Sequence, residues 1–202
     1  MNHNNITEEN FEAWNEEMVK RHSTILEYKN SNPIVRFIEG ERVRWVVRLV
    51  DAKNTDTILD AGCGAGNILE EIRCGKLFGV DISETLVARA HQRMKERALI
   101  VRGNVEDMVK LFPNTTFTKI YSSEVIEHIL HPDIMLSEMH KLIDAKGAVV
   151  ISIPNESLIK FAKRILIIFG LFRIVLGERD KKSVQYDWHL HDFDLNKLKT
   201  LV

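Results

Sequence analysis

At 202 residues, 45% hydrophobic and 28% charged, the chain has the make-up of an ordinary globular protein and room for one domain with a substantial core. A net charge of −1 leaves no global basic field for a nucleic-acid backbone, so DNA is not an expected partner, and two cysteines, Cys63 and Cys74, are too few for a disulfide framework. The polar, acidic start MNHNNITEEN lacks the pattern of a signal peptide and no apolar run approaches the ~18 residues of a membrane span, so the reading is cytoplasmic. In chain order, residues 8–50 read as helical, broken around Ser31–Pro33, and form an N-terminal helical cap within 1–54. Short apolar runs then predict strands at 57–60, 77–81, 99–102, 118–122 and 147–153. Helices fit between them. One over 83–97 starts at the N-cap Ser83 and stacks Leu86, Ala90 and Met94 on one face. Another over 132–143 starts at Pro132, with Gly147 beyond its end. Strands alternating with helices predict an α/β, doubly wound, mostly parallel sheet in a single domain, 1–202, with its core over 55–155 and an acceptor-side segment over 156–202.

The stretch ILDAGCGAGN, 58–67, joins the first strand to a glycine-rich turn. Glycines at 62, 64 and 66 allow positive φ and a close backbone approach to a ligand. The dinucleotide fingerprint requires G-x-G-x-x-G, and here position 67 is Asn. Asp60, just ahead of the turn, would repel a pyrophosphate and suits an ammonium group. Asp81, at the end of the second predicted strand, can accept from both hydroxyls of a ribose. Together they point to S-adenosylmethionine.

ILDAGCGAGN followed by FGVDIS resembles the first two motifs of the class I S-adenosylmethionine-dependent methyltransferases. The resemblance continues through GNVEDM (103–108), SSEVIEHILHP (122–132) and KGAVVISIPN (146–155). It implies a Rossmann-like fold and methyl transfer to an oxygen or nitrogen of a small-molecule or lipid-like acceptor, with S-adenosylhomocysteine as product. It also implies that Asp60 and the backbone of Gly62, Cys63, Gly64 and Gly66 hold the methionine part of the cofactor. Asp81 would bind the ribose, Ile82 pack on the adenine, and Asn104 and Val105 meet the adenine edge. The family often has Asp where Asn104 stands; an Asn can still hydrogen-bond the amino group.

Glu124, Glu127 and His128 stand at i, i+3 and i+4 and share a face if that segment is helical. Three readings stay open. Glu124 contacts the cofactor pocket while the other two make local hydrogen bonds; or His128 is a general base; or the three hold a divalent cation. The stretch is similar to the E-x-x-E-H of ubiquinone-biosynthesis O-methyltransferases and of small-RNA 2′-O-methyltransferases, where those positions and a further histidine bind Mg²⁺. No metal is assigned here, and a divalent cation is the secondary reading. Tyr121, Ser122 and Ser123 are candidates to line the methyl position. In WHLHDF, 188–193, alternation puts His189 and His191 on one side if the stretch is extended, and His191 is expected to complete the acceptor site with His128. Asp194 is the expected N-cap of a last helix.

Residues 157–177, SLIKFAKRILIIFGLFRIVLG, form an apolar insertion with a basic edge at Lys160, Lys163 and Arg164. It reads as a helix over the sheet, as a surface for a lipid-like acceptor at a membrane, or as a dimer interface. The family's closing strand hairpin is missing from the sequence, which ends in KLKTLV. The competing functions are an RNA methyltransferase, disfavoured by the neutral charge, and a non-catalytic S-adenosylmethionine-binding subunit. Oligomeric state is left open.

Overall fold

The computed structural model describes residues 6–26, 33–154, 188–191 and 193–201. The apolar insertion at 157–177 lies outside them. Among the described residues five strands form one parallel sheet: β1 (Thr57–Ala61), β2 (Lys76–Asp81), β3 (Ala98–Arg102), β4 (Phe117–Ser123) and β5 (Ile143–Ser152). Their spatial order is β3-β2-β1-β4-β5, with β1 paired to β2 on one side and to β4 on the other. The chain therefore reverses its winding direction between β1 and β4. In open α/β sheets ligands bind at such a switch point, beyond the carboxyl ends of the strands. The fold is the Rossmann-like, doubly wound sheet expected from the sequence.

Period-two alternation distributes the strand residues between two cores. Ile58, Leu77, Ile100 and Tyr121 face α2 (Pro33–Val50), α3 (Asn67–Glu71) and α4 (Glu84–Met94). Leu59, Val80 and Ile120 face α5 (Met108–Leu111) and α6 (Pro132–Leu142), joined by Phe117, which lies out of phase across the register shift between Phe117 and Lys119. On that second face Phe78, Phe112 and Phe117 meet edge-on, with centroids 5.2–6.0 Å apart. Val43, Val46 and Val50 seat α2 in the first core, so this helix is a layer of the fold. The first helix, α1 (Glu8–Leu26), behaves differently. Its Phe11, Trp14 and Met18 pack on Ile82, Leu130, Trp188 and Leu190, roofing the carboxyl end of the sheet.

Ser83 caps α4 as expected, its hydroxyl accepting from Leu86 N. That helix stops at Met94, because Lys95 turns to φ 51 and a 3₁₀ turn carries the chain into β3. β5 differs from the expected 147–153. It follows α6 without an intervening loop, and its register against β4 shifts between Phe117 and Lys119. Gly147 sits in this irregularity rather than at a helix end. A Cβ there would lie 2.7 Å from Ile143 Cδ1 and 2.9 Å from Thr118 O, so only glycine lets the two strands close. The short α3 and α5 have no periodic signature in sequence. Asp194 caps the last helix, Leu195–Leu201, accepting from the amides of Asn196 and Lys197. Among the described residues no helix is long and apolar enough to cross a membrane.

Candidate functional site

The site is built where β1 ends. Gly62 and Cys63 donate their amides to Val80 O, at 2.8 and 2.9 Å, which folds the loop back over β2. Gly62, Gly64 and Gly66 take φ values of 84, 52 and 76. Among the described residues a Cβ on Gly64 would meet nothing within 4 Å, so there the loop presents bare backbone above the sheet. Arg93 of α4 binds Ala65 O and Asn67 Oδ1 and pins the far end of the loop.

Two carboxylates flank the loop. Asp60 is 2% exposed, and Tyr121 Oη donates to its Oδ2 at 2.8 Å. Burial pushes the Asp60 carboxyl up to about 8; the Tyr121 bond opposes the rise and the charge of Asp81 adds to it. Asp81 accepts from Gly64 N at 2.8 Å through Oδ2 and from Ser83 N at 2.9 Å through Oδ1. Burial raises its pKa as well, against the pull of those amides. Beside them Ile82 is half-buried under α1, and Val105 is buried. The Asn104 carbonyl oxygen caps the next turn by accepting from Glu106 N, which leaves its NH₂ group for a ligand. An open glycine cradle, a buried acid and a second acid on the neighbouring strand fit a ligand with an ammonium group and a ribose.

The EVIEH stretch is a turn, not a helix. Glu124 adopts φ 59 with its amide on Ser152 O, and His128 N closes a turn on Val125 O. The expected common face is therefore split. Glu124 turns to α2, where Arg42 approaches its carboxylate at 3.5 Å. Burial lifts the Glu124 carboxyl to about 7, with Arg42 opposing and Glu39 reinforcing. Glu127 and His128 turn the other way, toward residues 188–191.

There the amides of Leu190 and His191 both donate to Glu127 O, bending the segment so that its two histidines diverge. The His189 ring meets His128, centroids 4.8 Å apart, whereas His191 Nε2 bonds Ile129 O at 3.0 Å. The structure thus brings His189 rather than His191 against His128. His128 Nδ1 lies 3.0 Å from Trp188 O and therefore carries the proton, leaving Nε2 a lone pair 3.9 Å from Glu127 Oε1. Burial holds the His128 pKa down at about 4, so the ring is neutral at pH 7; the Trp188 carbonyl opposes this and His189 adds to it. One ligand atom each from Glu127, His128 and His189 lies within 4.8 Å of the others, a set that could hold a divalent cation. Sequence reading included His189 only as one of a pair, because its approach to His128 depends on that bend.

The expected lining residues are also redistributed. Tyr121 and Ser122 are buried in the sheet, on Asp60 and on Ala61 O, and Ser123 bonds Ser152.

Residues 59–151 match a family model described as a methyltransferase domain. The chain is 31% identical over 116 residues to a phosphoethanolamine N-methyltransferase of Triticum aestivum, an alignment covering 55% of this chain and 23% of that protein. It is 29% identical over 136 residues to a ubiquinone biosynthesis O-methyltransferase of Pelagibacter ubique, covering 64% and 56%. The chain therefore spans at most about half of these curated relatives. Among solved structures, the plantazolicin methyltransferase BamL, in complex with a triazolic desmethylPZN analog and SAH, superposes with a TM-score of 0.68 at 14% identity, over 95% of this chain and 71% of that one.

Proposed function

We propose that the chain, whose residues 59–151 match a methyltransferase domain, is a class I S-adenosylmethionine-dependent methyltransferase that moves the sulfonium methyl group to an oxygen or nitrogen of a small or lipid-like acceptor. The arrangement that supports this above all is the glycine loop at the switch point, with Asp60 beneath it and Asp81 beside it. In this reading Asp60 and the backbone of Gly62, Cys63, Gly64 and Gly66 take the amino-acid end, and Asp81 the ribose hydroxyls. Ile82 takes the adenine face, Asn104 and Val105 its edge, and Glu124 closes the pocket toward α2. The cofactor supplies an already activated methyl group. What the protein adds is alignment and exclusion of water. The α1 roof over Ile82 serves the second purpose. On the acceptor side the neutral His128, with the His189 ring against it, offers Nε2 to an acceptor's proton, while His191, expected as its companion, is turned to Ile129 O.

Calorimetry with S-adenosylmethionine, S-adenosylhomocysteine and NADH tests the premise. The first two are expected to bind and NADH is not; tight NADH binding would sink the reading. A second reading is favoured by the Glu127–His128–His189 cluster: a divalent cation there would polarise an acceptor oxygen. Repeating the titration after EDTA treatment, with Mg²⁺ or Zn²⁺ added back, decides between the two, since only the second reading expects metal binding lost in Glu127→Gln.

The relatives named for phosphoethanolamine and ubiquinone support a small or lipid-like acceptor. Contact with a membrane surface belongs to the same proposal. Phe37, Ile38, Trp45 and Leu49 of α2 are more than half exposed, with Arg44 and Arg48 among them and the Arg48 guanidinium 5.2 Å from the Trp45 ring centre. Co-sedimentation with anionic vesicles is expected and should weaken in Trp45→Ser; failure to pellet with such vesicles removes this part.

A further inference from the structure

Asp60 and Tyr121 are directly paired residues of adjacent parallel strands, β1 and β4. Both side chains point into the core shared with α2, α3 and α4, and the phenol is fully buried. A buried tyrosine hydroxyl needs a partner, and here that partner is the carboxylate at the floor of the glycine loop, 2.8 Å away. Two consequences follow from this geometry. One carboxylate oxygen is fixed from below. The phenol O–H is also a donor that favours the ionised acid, since it bonds the charged form more strongly than the neutral one.

We propose that Tyr121 is a positioning residue for the cofactor: its hydroxyl orients Asp60 and eases the loss of its proton when the ligand's ammonium group arrives. This rests on the reading of Asp60 as the acid that meets the amino-acid end of the cofactor. The other groups acting on Asp60 work against ionisation. Burial alone would keep the acid protonated, and Asp81 on β2 adds a like charge; the buried Cys63 thiol of the loop is itself pushed away from ionisation and brings no charge. Tyr121 is thus the group that favours the anion, and its effect must appear as a pH dependence. With the Asp60 carboxyl at about 8, most molecules at pH 7 must lose a proton from Asp60 to form the ion pair. Removing the hydroxyl raises that pKa, so binding weakens below the new value and recovers above it.

The probe is S-adenosylhomocysteine, titrated calorimetrically into the parent chain and Tyr121→Phe at pH 7 and pH 9. A hydrogen bond to a charged acceptor corresponds to roughly a tenfold factor. Tyr121→Phe is therefore expected to bind about tenfold more weakly at pH 7 and within about twofold of the parent at pH 9. The ratio between the two chains is read, because the ligand's own amino group titrates identically against both. A ratio that is the same at both pH values would mark Tyr121 as a purely structural residue and overturn the proposal, as would a ratio near one throughout. Should the phenylalanine variant not fold, Tyr121→Met is the second substitution. Proton release by the unaltered chain is the second measurement, made at pH 7 in two buffers of different ionisation heat. Close to one proton per ligand is expected, and no release would mean that Asp60 is already ionised and Tyr121 has nothing to govern. Asp60→Asn separates the two claims. If it binds the probe as tightly as the parent, the placement of Asp60 in the cofactor site fails. If it binds poorly while the Tyr121→Phe ratio is flat with pH, only the role of Tyr121 fails.

Discussion

Gly62→Ala is expected to remove measurable cofactor binding and to lower the melting temperature by several degrees. The residue sits at φ 84, a region that costs an alanine about 1–2 kcal/mol. Its added Cβ would also lie 2.3 Å from Cγ2 and 2.8 Å from Cγ1 of Val125, the branched side chain of the turn that follows β4. Overpacking of that kind costs about 1–3 kcal/mol more. Neither neighbour can yield cheaply: the loop is tied to Val80 O, and Val125 lies between Glu124 and the buried Ile126. Gly64→Ala separates strain from contact, because its φ is 52 but nothing stands within 4 Å. It should be the milder of the two in stability. Gly40→Ala, in open space within α2, should stabilise by about 0.5–1 kcal/mol. Thermal melts and titration with S-adenosylhomocysteine check the series; a Gly62→Ala chain that melts and binds like the parent would show that the turn can move aside.

Asp81→Ala is expected to act twice. The carboxylate now receives the amides of Gly64 and Ser83, so its loss leaves two donors unpaired at the edge of the loop and at the start of α4. Hydrogen bonds to a charged group are worth about 1.5–3 kcal/mol each. In the proposed reading the same change also removes the acceptor for the ribose hydroxyls. Affinity for S-adenosylhomocysteine should fall by about two to three orders of magnitude, beyond what the drop in melting temperature explains. Asp81→Asn separates the two effects: its one carbonyl oxygen can serve a single amide, while its NH₂ opposes the other. Binding by Asp81→Ala within tenfold of the parent would place the ribose elsewhere.

The features legible in the sequence are those that short range determines. The glycine loop, its preceding acid, the cap at Ser83 and the five strand positions lie in contiguous stretches whose chemistry and period speak for themselves. What escaped reading depends on pairing across the sheet or on a single dihedral angle. Tyr121 looked like a lining residue because strand position alone does not tell which acid stands opposite it. The register of β4 against β1 supplies that. Glu124, Glu127 and His128 have helical spacing, but a left-handed residue at 124 breaks the periodicity that the spacing assumes. His189 and His191 would share a side in an extended strand. The two amides gathered on Glu127 O fold that stretch into a turn and send the rings apart. The bulge that brings Ile143 into β5 likewise has only Gly147 as its local sign.

The parallel pairing of β1 with β4 also bears on how the molecule comes to fold. Asp60 and its phenol donor are 61 residues apart, and His128 is 60 residues from the Trp188 carbonyl it faces. Contacts of such separation close slowly, because the chain must lose loop entropy before they reward it. The glycine loop and its acid are therefore synthesised well before the hydroxyl that completes them. A nascent chain ending short of Tyr121 has the cradle's sequence without its anchored floor. A ligand that binds the finished site and not the unfolded chain stabilises the fold by mass action, with the logarithm of one plus its concentration over its dissociation constant.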